Sequence, residues 1–195
     1  MNLPNKLTML RIFLILPLVF LLLPLGNGAW ADFVATPTAR LIALIIFIVA
    51  ALTDFIDGKI ARKYNLITDF GKLMDSLADK LLVLGTFLVF IQLGRVHAFI
   101  VLVMLARELL VTGIRQVGVS QGMVIAAGPF GKWKAACQMI TLVYLLAEPL
   151  LANYLGGDLT TWQLWGNILL GLSLFLTVAS GLDYFIKYRG LFKSA

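Results

Sequence analysis

Six apolar stretches, each near the length that crosses a lipid bilayer, leave this chain little choice but a bundle of membrane-embedded helices. They run at about 12–25, 39–58, 76–93, 98–117, 133–153 and 162–186. A helix rising about 1.5 Å per residue needs roughly 20 apolar residues to span a hydrocarbon core about 30 Å thick. Inside that core the helix must satisfy its own backbone N–H and C=O groups. Of the 195 residues, 61% are hydrophobic and 13% charged, too few polar groups to cover a water-soluble domain. The first stretch is short and needs residues before Ile12 to complete a span. Breakers at Gly26-Asn27-Gly28, Gly94-Arg95, Gly118 to Gly131 and Gly156-Gly157 mark the connections. Residues 1–195 read as one all-α membrane domain with no linker and no repeat.

Charge asymmetry orients the bundle. With the N-terminus in the cytoplasm, only Arg40 and Arg95 of the 16 Lys and Arg fall on the far side. An even number of spans returns the C-terminus to the cytoplasm, and both ends are basic. Trp30, Trp162 and Trp165 then lie near outer span ends, as interfacial anchors do. Ala29-Trp30-Ala31 after the first apolar run resembles a signal-peptidase site. That reading is set aside because residues 2–11 enter the argument below. Cys137 is the one cysteine and His97 the one histidine, so neither a disulfide nor a zinc site is expected. His97 reads as a solvated loop residue. The net charge of +6 comes without a basic run or a soluble domain, which argues against nucleic-acid binding.

Against this apolar background stand four aspartates. Asp54 and Asp57 share a helix face with Gly58, Ala61 and Arg62, and Gly71, Asp75 and Asp79 repeat every fourth residue on the next helix. The short segment between Lys63 and Phe70 makes the two helices antiparallel neighbours, so four carboxylates converge at the cytoplasmic edge. Like charges at membrane depth need compensating cations. All-oxygen donors suit Mg²⁺ or Mn²⁺, and two such ions could clamp the oxygens of a phosphoryl displacement. The small residues Gly58, Ala61 and Gly71 either leave room for a phosphate-bearing ligand or serve close helix packing.

The pattern D54-x-x-D57-G58-x-x-A61-R62, eight residues, then G71-x-x-x-D75-x-x-x-D79 resembles the signature of the CDP-alcohol phosphatidyltransferase family at every fixed position. Asn2-Leu3-Pro4-Asn5-Lys6-Leu7-Thr8-x-x-Arg11 is similar to that family's N-terminal amphipathic segment. Ala106-Arg107-Glu108, Thr112-Gly113-x-Arg115 and Gly131-Lys132-x-Lys134 resemble the branch that uses glycerol 3-phosphate. Ser76 departs from the proline usual after the third aspartate, which would only favour helix initiation. The resemblance implies transfer of a phosphatidyl group from a CDP-linked lipid to an alcohol, with release of CMP. By the same resemblance Asp54, Asp57, Asp75 and Asp79 hold two Mg²⁺ or Mn²⁺ ions. Asp79 also deprotonates the acceptor. Asn5, Thr8, Gly58, Ala61, Arg62 and Gly71 take the CDP-lipid. It further implies a homodimer, and the short chain without a targeting peptide favours a bacterial cell membrane.

The acceptor is read from a second basic set. Arg107 and Arg115 share a helix face, and Lys132 and Lys134 begin the next span. Pairing with Glu108 or snorkelling to the headgroups accounts for some of these charges. Four cations exceed what one glutamate neutralises, which favours an acceptor carrying its own phosphate, glycerol 3-phosphate. The alternatives are a relative that makes phosphatidylinositol phosphate or cardiolipin, and, from another class, a divalent-cation transporter. A transporter would need a continuous polar path, whereas the central acidic residues cluster at one edge. Asp183 in the last stretch is expected to pair with Lys187.

Overall fold

The structure, a computed structural model, describes residues 3–26, 28–63, 69–123, 125 and 128–189. Side chains are described for these residues except 3, 4, 55, 57–63, 69, 70 and 72. Among the described residues seven helices follow in order: α1 (Leu3–Leu22), α2 (Ala29–Val34), α3 (Pro37–Lys63), α4 (Asp69–Gln92), α5 (Ala98–Ser120), α6 (Pro129–Leu155) and α7 (Leu159–Tyr188). The six long ones coincide with the six apolar stretches. The short α2 was not expected. It sits in the first connection, where Trp30 Nε1 donates to the Leu23 carbonyl at 3.3 Å and the Trp30 ring lies 4.2 Å from that of Phe20.

Four helices are long and apolar enough to cross a membrane, in the windows Asn5–Leu22, Pro37–Asp54, Pro129–Leu155 and Leu159–Tyr188. The other two, α4 and α5, have 24 and 23 residues, about the length that a span needs. They also carry Asp75, Asp79 and Lys80, and Arg107, Glu108 and Arg115. The same charges that make the site lower the hydropathy of the helices that bear it.

Residues from Leu3 onward, which include most of the motif likened to an amphipathic segment, run without a break into α1. Its polar residues Thr8 and Arg11 are buried, while Leu10, Phe13 and Leu16 are exposed. The polar side of this helix faces protein and its apolar side faces outward, as expected where the surrounding solvent is lipid. The extra turns also supply the length that the first apolar stretch lacked.

α1 packs on α3 and α4, α6 on α3 and α7, and α5 on α7 and α4. Phe47, Leu82, Phe87, Phe90, Met104, Leu142 and Leu146 form a core between them. A polar seam joins α6 to α7. Thr141 Oγ1 lies 2.8 Å from Ser173 Oγ, and Gln138 Nε2 donates to Thr177 Oγ1 at 3.3 Å. Such pairs hold helices together where the hydrophobic effect cannot tell helix from lipid.

The end opposite the aspartates is closed by a charged clamp. Arg95, after α4, donates from Nε to Glu148 Oε2 at 2.8 Å and from Nη2 to Glu148 Oε1 at 2.9 Å. Its Nη1 reaches Asn167 Oδ1 at 2.8 Å. A Cβ at Gly166 would run into the Arg95 guanidinium and lie 2.9 Å from Glu148 Oε1, so the pair would have to shift to admit one. His97 is exposed and caps α5, its Nδ1 accepting from the Phe99 amide at 3.2 Å. Lys187 Nζ donates to Asp183 at 3.0 Å, as expected from their spacing.

Candidate active site

The C-terminal end of α3 and the N-terminal end of α4 carry the acidic set. α3 ends at Lys63 and α4 begins at Asp69, so the connection is short and the two helices run antiparallel. A cavity of about 750 Å³ opens beside them. Asp54 from α3, Asp79 and Lys80 from α4, Arg107, Glu108 and Arg115 from α5, and Lys132 and Lys134 from α6 all line it. Thus two of the acidic residues and all four residues of the second basic set share one space. Its apolar wall includes Ile48, Ala51, Val83, Met139 and Val143. A second cavity of about 440 Å³ shares Asp79, Lys80, Arg107, Glu108 and Arg115 and adds Ser76 and Gln116.

Asp75 does not line either cavity. It is tied to Asp54 by Arg11, whose Nη1 lies 2.5 Å from Asp54 Oδ1 and 3.2 Å from Asp75 Oδ1. The Arg11 side chain is fully buried, whereas those of Asp54 and Asp75 keep 34% and 48% of their surface. Thr8, one turn earlier on α1, is buried, Asn5 is half-buried, and neither lines the cavity. Gly71 lies one turn before Asp75 on α4 and is half-buried. The side chains of Asp57, Ala61 and Arg62, and the surroundings of Gly58, fall outside the described residues.

The basic set is organised by unequal partners. Glu108 Oε1 accepts from Lys134 Nζ in a very short contact and from Arg107 Nη1 at 3.2 Å. One carboxylate therefore meets two cations. Arg107 Nη2 also donates to Ser180 Oγ. Arg115 Nη2 donates to Tyr184 Oη at 2.7 Å. Lys132 is exposed at the start of α6. The Nε atoms of Arg107 and Arg115 are buried and have no hydrogen-bond partner among the described residues. The same holds for Arg11 Nε, although the Arg11 guanidinium already meets Asp54 and Asp75.

Three participants were not foreseen from the sequence. Lys80 had entered only as a topological charge, yet its Nζ donates to Thr112 Oγ1 at 2.9 Å beside Asp79. Ser180 and Tyr184 were absorbed into the last apolar stretch. The available signal was their spacing: Ser173, Thr177, Ser180 and Tyr184 recur every three or four residues and are all buried.

The donor chemistry of the acidic set fits a divalent cation, being carboxylate oxygen throughout. Asp54 and Asp79 open on the same cavity, and Asp75 is coupled to Asp54 through Arg11. Among the described residues no three such side chains already form a metal cage.

The sequence is similar to those of several known proteins. A protein of Bacillus subtilis (strain 168) named CDP-diacylglycerol--glycerol-3-phosphate 3-phosphatidyltransferase is 40% identical over 193 residues, covering 95% of this chain and 94% of its own length. One of the same name from Rickettsia bellii is 36% identical over 184 residues, covering 94% and 93%. A Mycobacterium tuberculosis protein named probable phosphatidylglycerophosphate synthase is 34% identical over 183 residues, covering 94% and 79%. Residues 1–179, which hold the four aspartates and the five Lys and Arg side chains that line the cavity, match the family described as CDP-alcohol phosphatidyltransferase, and the chain belongs to that family.

Proposed function

We propose that this protein transfers the phosphatidyl group of CDP-diacylglycerol to glycerol 3-phosphate, giving phosphatidylglycerol phosphate and CMP. The observation that carries the reading is the shared cavity, where Asp54 and Asp79 face Arg107, Arg115, Lys132 and Lys134. The names of the relatives in Bacillus subtilis and Rickettsia bellii support the same pair of substrates.

In this reading Asp54, Asp57, Asp75 and Asp79 hold two divalent cations, Mg²⁺ or Mn²⁺. When bound, these ions neutralise charge on the phosphoryl oxygens. The protein's own side chains do the rest. Arg107 and Arg115 receive the phosphate of the acceptor, with Lys132 and Lys134 adding positive potential. Asp79, open to the cavity, accepts the proton of the acceptor hydroxyl. The acceptor oxygen bonds to the lipid-linked phosphorus as the P–O bond to CMP breaks, and CMP leaves. No covalent enzyme intermediate is required. Asn5, Thr8, Gly58, Ala61, Arg62 and Gly71 serve the CDP-lipid.

We further propose that α4 and α5 also cross the membrane, making six spans with both termini and the site on the cytoplasmic side of a bacterial cell membrane. The distribution of Lys and Arg supports this. Arg95 and Arg40 stand at the opposite end from the cavity. A homodimer is the assembly the family resemblance implies.

The test is an acceptor panel. Purified protein supplied with CDP-diacylglycerol and, in turn, glycerol 3-phosphate, glycerol, inositol phosphate and phosphatidylglycerol is assayed for CMP release. Glycerol 3-phosphate is expected to support turnover well above the others. Preference for phosphatidylglycerol or for inositol phosphate would move the protein to a different branch of the family.

A further inference from the structure

We propose that Tyr184, together with Ser180 one turn before it, is a positioning residue for the acceptor: it fixes the Arg115 and Arg107 guanidiniums at the cavity while leaving their charge free for an anion. The proposal rests on the reading of these arginines as the acceptor-phosphate site.

Tyr184 is 2% exposed, and neither it nor Ser180 lines the cavity. They stand behind the two arginines. Tyr184 Oη accepts from Arg115 Nη2 at 2.7 Å and from the Gly128 amide at 3.1 Å, so one hydroxyl ties α7 to α5 and to the start of α6. Its ring centroid lies 5.4 Å from Arg115 Cζ and 5.8 Å from Arg107 Cζ, within cation–π range. Ser180 Oγ accepts from Arg107 Nη2. At Gly181 a Cβ would come 3.2 Å from Arg107 Cγ, so the α7 backbone lies against the arginine stem.

The type of partner decides the role. At the opposite end Arg95 is held by the carboxylate of Glu148, which fixes it and cancels its charge. Arg115 is held instead by a neutral phenol and a ring face. Such partners restrict the side chain without neutralising it, so its rotamer freedom is already reduced before an anion arrives. Arg107 shares Glu108 with Lys134, so that carboxylate offsets only one of two charges, and Ser180 supplies the neutral second contact. The cavity thus receives guanidiniums that are oriented and still cationic. An anion that binds there does not bear the cost of ordering them. Ser180 and Tyr184 lie beyond the residues matched to the family, which end at 179.

The experiment is a kinetic double-mutant cycle. Tyr184→Phe keeps the ring and removes the accepting oxygen. It is expected to raise KM for glycerol 3-phosphate about fivefold or more, with kcat and KM for CDP-diacylglycerol within about twofold, the loss of one hydrogen bond to a charged group setting the scale. In an Arg115→Ala background the same change is expected to add less than about twofold, because the hydroxyl acts through Arg115. Ser180→Ala acts on Arg107, and its effect is expected to survive in that background. An unchanged acceptor KM in both Tyr184→Phe and Ser180→Ala overturns the proposal, as does a Tyr184→Phe effect of equal size with and without Arg115. If Arg115→Ala itself leaves the acceptor KM unchanged, the acceptor-site reading fails and the proposal falls with it. If Arg115→Ala raises that KM and the other two changes do not, only the positioning role is lost.

Discussion

Arg11 Nη1 lies 2.5 Å from Asp54 Oδ1, so the most buried cation of α1 is bound to the first aspartate of the acidic signature. The same atom reaches Asp75 at 3.2 Å. One guanidinium therefore links α1, α3 and α4 at the point where two carboxylates would otherwise repel each other. It also explains why the start of the chain belongs to the site rather than to a separate surface segment.

Removing Arg11 should destabilise the protein and make its stability depend more on divalent cations. Arg11→Ala leaves two facing carboxylates without their organic cation. The cost is about 3 kcal/mol, the low end for breaking a buried pair, because both aspartates remain partly open to solvent. A bound divalent cation can replace the missing charge and stabilises the folded state by mass action. Thermal unfolding in detergent is expected to show a lower Tm for the variant and a larger Mg²⁺-induced gain than in the parent. Equal gains in the two proteins would mean that Arg11 and the cation do not share these carboxylates.

Turnover should require Mg²⁺ or Mn²⁺. Carboxylates supply all the oxygen donors of the acidic set, and divalent cations held there would neutralise charge on the phosphoryl oxygens of the donor. Chelation is expected to abolish CMP release, and either ion should restore it. Full activity after exhaustive metal removal would refute the assignment of the four aspartates.

The opposite end should govern stability and not chemistry. Glu148 is 2% exposed and both its oxygens accept from Arg95. Glu148→Ala strands Arg95 and is expected to cost about 3–5 kcal/mol. Gly166→Ala forces a Cβ into the same pair and should lower Tm as well. Both variants are expected to keep the parental KM for glycerol 3-phosphate wherever folded protein is recovered. A selective rise in that KM would connect the clamp to the cavity.

Much of this arrangement was legible in the sequence because the bilayer imposes simple rules. A span has a fixed length, so apolar runs located the six long helices. Charge at membrane depth is costly, so Asp54, Asp79, Arg107, Arg115 and Lys134 could be marked as functional candidates before their positions in space were known. Helical spacing placed each pair of aspartates on a common face. What the sequence hid were contacts between distant helices. Nothing local says that Arg11 lies between Asp54 and Asp75, 43 and 64 positions away, or that Glu108 accepts from both Arg107 and Lys134. Tyr184 was hidden differently: in an apolar stretch tyrosine reads as packing, and only the buried hydroxyl partner reveals its use. Which way the polar side of the first residues faces was also hidden: in α1 Thr8 and Arg11 are buried while Leu10, Phe13 and Leu16 are exposed.

The division of labour within the cavity is the central claim, and steady-state kinetics on two variants tests it most directly. Initial rates of Asp79→Asn and Arg115→Ala are measured while CDP-diacylglycerol and glycerol 3-phosphate are varied in turn. Asp79→Asn keeps a weak oxygen ligand but cannot accept a proton, so kcat is expected to fall about 100-fold or more while CDP-lipid binding is largely retained. Arg115→Ala removes a charge-assisted phosphate contact of about 1.5–3 kcal/mol. It is expected to lower kcat/KM for glycerol 3-phosphate roughly ten- to a hundredfold while KM for CDP-diacylglycerol stays near the parental value. Asp79→Asn activity within a few-fold of the parent, or an Arg115→Ala defect confined to KM for the CDP-lipid, would contradict the account.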